Sequence, residues 1–215
     1  MTHTLHRRGT EQALEHEYVV LAMAAKGVNR EGSAPKLARI LEIFAAHNPV
    51  NYGNVSGNSH TADLGSMLAA TRENTVSHAV FASEEDLAGV LSELKKEDLG
   101  VSIVVSGLFN NVHRCLGKVG LAPHTVNLSL GVFGKKERLP AEGVLEVATM
   151  CGHGMVAFSL IEHEVRNIIE GWTSPEAAAR KLARNCHCGV FNWRRAAAVL
   201  QRLADGEAAA DLPQK

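Results

Sequence analysis

The stretch "TVSHAVFASEEDLAGVLSELKKEDLGVSIVVSGLF" (residues 75–109) decides the fold. Its first nine residues alternate towards a strand, and its last nine open with a β-branched, apolar run that reads as another. Between them Ser83 is placed to cap a helix, Glu84, Glu85 and Asp86 fill the first turn, and Gly100 follows the end. A strand, a helix and a strand in 35 residues is the unit from which an α/β sheet is assembled.

Working outward, "YVVLAMAA" (residues 18–25) is a short apolar run ending in a Gly-rich break, so its length suits a buried strand. In "SAPKLARILEIFAAHNP" (residues 33–49), Ser33 can cap, Pro35 falls in the tolerant first turn, Leu37, Ile40, Leu41 and Phe44 recur at helical spacing, and Pro49 forbids continuation. "VNYGNVSGNSHTADLG" (residues 50–65) is dense in Asn, Gly and Ser and reads as a long polar loop running into a short helix near residues 62–71. Downstream, "NNVHRCLGKVG" (residues 110–120) closes a helix on Gly120, and the clean alternation of "HTVNLSLGVFG" (residues 124–134) predicts a fourth strand.

From Pro140 the pattern turns wholly helical, with a helix start at Ser174, Pro175 and Glu176. The expected fold is α/β (or α+β): a four-stranded sheet with intervening helices, partly parallel or in the split βαβ arrangement, followed by an all-helical C-terminal segment. Residues 1–139 form the sheet body, residues 140–205 pack on the same unit with no linker between, and residues 206–215 form a frayed tail.

The 22 Lys and Arg against 23 Asp and Glu leave no basic excess for a phosphate backbone, so nucleic acid is not an expected partner. The N-terminus carries charge or polarity every few residues where a signal peptide needs an apolar core, and no run approaches the roughly 20 apolar residues that span a bilayer. The expectation is a cytoplasmic protein with no membrane partner. In a reducing compartment cysteines stay free, bind metal or do chemistry.

Two clusters then stand out. "TMCGHGMV" separates Cys151 from His153 by one glycine, just before an amphipathic stretch that Gly154 is read to open, which would put Cys151 at a helix start with its thiolate favoured by the dipole. "NCHCGVFN" sets Cys186 and Cys188 at i and i+2, a spacing that can chelate one ion only in non-helical backbone, and Gly189 supplies the break. Together Cys151, His153, Cys186 and Cys188 make a set for zinc or iron. Cys115 in place of His153 makes an all-thiolate set for an iron–sulfur cluster, although Cys115 alone reads as a small buried residue.

The polar loop offers Asn54, Ser56, Asn58 and Asp63 to orient a substrate, with His60 as acid or base. His3 and His6 share a spacing that suits a metal or, with Arg7 and Arg8, a phosphate; His113 and His124 are minor candidates for proton transfer. Alanine-rich stretches at residues 176–183 and 194–204 suggest a homo-oligomer. No G-x-G-x-x-G, Walker loop, G-x-S-x-G, H-E-x-x-H or kinase set occurs, so no nucleotide cofactor is expected. The expected activity is a metal-dependent, non-redox step of lyase or hydrolase type (hydration, elimination or hydrolysis) on a small polar substrate. The alternatives are an iron–sulfur or metal- or redox-sensing protein without turnover, and a metal-free enzyme with Cys151 as nucleophile.

Overall fold

A computed structural model describes residues 4–206. After a one-turn helix α1 (Glu11–Leu14), the chain forms β1 (Tyr18–Met23), α2 (Ala34–Ala46), β2 (Asn51–Asn54), β3 (Gly57–Asn58), α3 (Leu64–Ala69), β4 (Val76–Phe81), α4 (Glu84–Glu97), β5 (Ser102–Ser106) and α5 (Phe109–Lys118). Four helices follow: α6 (Glu142–Ala148), α7 (Phe158–Ile169), α8 (Pro175–Ala183) and α9 (Trp193–Ala204). The class is mixed α/β with a helical C-terminal segment.

The sheet has five strands in the order β3-β2-β4-β1-β5, and every neighbouring pair is antiparallel. Both β4 and β5 pair with β1, so the β4–α4–β5 unit returns parallel to its start with β1 between. The β1–α2–β2 unit does the same with β4 between. Of the two arrangements expected, the split βαβ is the one present, twice, and β2-β4-β1-β5 is the order of the β-α-β-β-α-β, ferredoxin-like topology.

The strand count differs from expectation by one because two stretches exchange roles. Residues 124–134 form no strand: every residue from 122 to 139 is exposed, Leu128 and Leu130 at 70% and 85%. Alternation supplies the side chains of a strand but no partner, and a ladder exists only where another strand accepts its backbone. The polar stretch read as a loop supplies β2 and β3 instead, paired Gly53 to Asn58 and Asn54 to Gly57. Gly53 explains the choice, since a Cβ there would stand 2.4 Å from the Gly57 carbonyl oxygen.

Local signals explain most helix boundaries. Ser83 accepts from the Asp86 amide to cap α4, Asp63 from Ser66 to cap α3, and Ser174 from Ala177 to cap α8. Ser33 does not cap α2; its hydroxyl turns back to the Arg30 carbonyl at 2.6 Å. Helix α7 starts at Phe158, four residues beyond Gly154, which leaves Cys151 just past the C-terminus of α6 and away from any helix start.

Alternation along β1 and β4 divides the core in two. Tyr18, Val20, Ala22, Ala79 and Phe81 pack against α2, α4 and α5. Val19 and Val80 face the other way and share one apolar cluster with α6–α9. The alanines behind the oligomer expectation are used here: Ala178, Ala179, Ala183, Ala196 and Ala197 are buried where α8 and α9 pack together. No helix is long and apolar enough to cross a membrane among the described residues.

Candidate functional site

The chain leaves α8 into the turn Cys186-His187-Cys188-Gly189, closed by the Gly189 amide donating to the Cys186 carbonyl at 3.0 Å. Gly189 takes φ +78°, and a Cβ there would lie 2.4 Å from the Tyr52 carbonyl carbon and oxygen. Only glycine lets the turn seat this closely on β2.

The β2–β3 hairpin grips the turn along its length. Asn58 Nδ2 donates to the Cys186 carbonyl at 2.9 Å and the Ala183 carbonyl at 3.3 Å, and Asn51 Nδ2 to the Phe191 carbonyl at 3.3 Å. His187 donates from Nε2 to the Val55 carbonyl at 2.6 Å, and Trp193 Nε1 donates to the Val50 carbonyl at 2.9 Å. From the N-terminal arm Arg7 reaches the Val190 carbonyl at 2.5 Å and pairs with buried Glu17, which Arg195 also approaches at 3.2 Å. Breaking one partner of such a buried charge network costs several kcal/mol, roughly 3–5, so the arm and α9 are fixed beside the turn.

This grip brings the two cysteine clusters together. Cys186 Sγ lies 3.9 Å from Cys188 Sγ, and Cys188 Sγ lies 3.7 Å from His153 Nδ1. Cys151, just past the end of α6, is buried in the same apolar cluster as both of these cysteines. Cys151 and Cys186 are fully buried, Cys188 is 7% exposed, and His153 is exposed at the rim. The array is therefore deep at its thiols and open on the imidazole side.

The thiols polarise in sequence. Cys151 is raised above the ordinary thiol range by its hydrogen bond to Cys186 and by burial. At Cys186 the bond from Cys151 lowers the pKa, but the bond to Cys188 and burial outweigh it, and the thiol is pushed up to about 12. Cys188, which accepts from Cys186, is lowered despite its burial. Of the three, Cys188 beside His153 is the one shifted towards the thiolate.

Two thiolates on one tetrahedral zinc at about 2.3 Å stand roughly 3.8 Å apart, and a thiolate and an imidazole nitrogen about 3.6 Å. The two separations here are close to these values. Among the described residues, however, no group of three or more His, Cys, Asp or Glu side chains forms a ready metal cage.

The loop residues have structural employment. Asn54 and Asn58 are fully buried; Asn54 Nδ2 donates to the Met67 carbonyl at 3.1 Å, and its Oδ1 accepts the Ser56 amide at 2.8 Å. Asp63 caps α3. His60 lies apart from the thiol row in a cleft of about 580 Å³ with Ala177, Arg180, Lys181 and Arg184. Burial, then Arg180 and Arg184, hold the His60 imidazole below its usual pKa. These cationic residues were not anticipated, because "EAAARKLAR" draws attention to its alanines; their i, i+3, i+4, i+7 spacing with Ala177 was the available signal.

Cys115 stands on the opposite face of the sheet, its thiol 3.7 Å from the Glu84 carbonyl, and cannot replace His153 in the set. His113 stacks on Phe109 at 4.1 Å, His124 meets only Thr125 at 3.2 Å in the exposed stretch, and His6 meets Ser129 at 3.0 Å. His3 lies outside the described residues. Comparison with known proteins finds no matching family model, curated protein or solved structure.

Proposed function

We propose that this chain is a metal-dependent enzyme, with zinc or iron held by Cys151, Cys186, Cys188 and His153, acting on a small polar substrate in a non-redox step. The single observation that carries the reading is the meeting of Cys186, Cys188 and His153 at spacings of 3.9 and 3.7 Å, with Cys151 buried in the same cluster. Soft thiolates with an imidazole select zinc or iron over magnesium or calcium. All four cysteines are free, which fits a reducing compartment such as the cytosol.

A bound ion would supply Lewis acidity towards a substrate oxygen or water. The protein's own part is to hold three donors out of solvent and leave the His153 side open, where a small molecule can approach. Asn58 and Gly189 act one step removed, fixing the backbone from which Cys186 and Cys188 project.

The test is metal and acid-labile sulfide content, with an absorption spectrum, on protein purified without air or chelator. About one zinc or iron per chain without sulfide is the expected result. A brown, sulfide-containing sample would replace the reading with an iron–sulfur protein. Metal-free, folded protein with three titratable thiols would end it and favour the second reading, a thiol enzyme built on the Cys188–His153 pair.

A further inference from the structure

The cleft beside His60 has a chemistry that the thiol row does not explain. Ala177, Arg180, Lys181 and Arg184 fall at i, i+3, i+4 and i+7 along α8 and the residue after it, so they form one continuous face. Three of the four are cations, and Ala177 leaves room between them and His60. Like charges at helical spacing repel, so this face gains nothing for the helix by itself.

Other contacts hold the cations in place without neutralising them all. Lys181 is bound to buried Glu164 at 2.6 Å, and the Arg180 guanidinium lies over the Trp193 ring at 3.6 Å. Neither Arg180 nor Arg184 has a carboxylate partner among the described residues. Opposite them, the buried Nε2 of His60 has no hydrogen-bond partner among the described residues. The cleft thus sets two guanidinium groups without carboxylate partners beside a half-buried histidine whose ring nitrogen has no partner either, a lining that suits a ligand that accepts hydrogen bonds and carries negative charge.

We propose that this cleft is an oxyanion site, with a phosphate group as the ligand it fits best. Arg180 and Arg184 offer planar forks to the oxygens, Lys181 a point charge, and His60 Nε2–H a fourth donor. His60 then binds, and does not relay protons. Arg184 is two positions from Cys186, and His60 two from Asn58, so the anion would sit on the same two elements that build the thiol row. The site itself stands whether or not the thiols take a metal.

The experiment is titration of the full chain with inorganic phosphate, read by calorimetry and by the ring resonances of His60, before and after chelator treatment. Saturable binding at one site is expected, with the His60 resonances moving and the affinity falling about tenfold or more in Arg184→Gln. Sodium chloride at matched ionic strength should neither reproduce nor block the effect. The stacking on Trp193 and the ion pair with Glu164 belong to other residues, so Arg184→Gln leaves both in place; Arg180→Gln is the second variant. Equal responses to chloride and phosphate, or unchanged affinity in both variants, would overturn the proposal. Binding that disappears only with the chelator would place the anion on a metal and overturn it equally.

Discussion

The two faces of the sheet each bury cysteine, and in different company. On the face covered by α2, α4 and α5, Cys115 sits alone among aliphatic side chains, its thiol raised chiefly by burial. On the face covered by α6–α9, Cys186 and Cys188 meet in a row that ends on the His153 imidazole, and Cys151 is buried in the same cluster. Buried free cysteine is ordinary, because the residue packs as a small hydrophobe. Three gathered in one cluster, with an imidazole against one of them, is the contrast on which the proposed reading rests. What separates the two is the neighbours each thiol keeps, a property of the tertiary fold.

On the metal reading proposed above, the largest effect expected from breaking this contrast is on metal content. Cys186→Ser should remove bound metal almost entirely, whereas Cys115→Ser should leave it unchanged, as read by elemental analysis of both variants. Next, Gly189→Ala forces a Cβ into the Tyr52 backbone at positive φ; it should cost about 3 kcal/mol or more in urea unfolding and loosen the metal with it. Asn58→Ala removes a side-chain donor from the Cys186 and Ala183 carbonyls, which keep their backbone partners, and should cost about 1–2 kcal/mol, again with weaker metal retention. A variant that loses this stability yet keeps its metal would show that the hairpin does not position the donors.

The Cys115 face should answer to acid instead. Glu84 opens α4 and takes Arg114 and Lys118 from α5, and its carboxyl is held at about 2 against an ordinary 4.5, first by Arg114 and then by Lys118. A depressed carboxylate pKa contributes stability that is full above pH 4.5 and lost as pH falls towards 2. Glu84→Gln should therefore flatten the acid limb of the stability curve in that window. The smallest change expected is Cys115→Ala, about 1 kcal/mol, with no effect on either readout.

How much of this could be read from the chain follows the range of the interactions. The β4–α4–β5 unit was legible because its caps, periodicity and stop signals all lie within 35 residues. The β2–β3 hairpin was not, since Asn51, Asn54 and Asn58 are turn-formers by composition, and the carbonyls their Nδ2 groups reach lie more than 100 residues away or on α3. Residues 124–134 mislead in the opposite sense, with a local pattern and no partner. The same division applies to the site: each cysteine cluster declares itself in sequence, but their meeting depends on how α6 and the turn after α8 pack.

The exposed run at residues 122–139 has a consequence for the integrity of the chain. It is the covalent tie between the sheet and the C-terminal helices, and nothing in its exposure shields it from a protease. A single cut there would leave the Val19 and Val80 face, the Asn58 grip and the Arg7–Glu17–Arg195 cluster in place. The nicked protein should run as two bands under denaturing conditions and as one particle without them, with the thiols supplied wholly by the second fragment and the Asn58 grip on their backbone by the first.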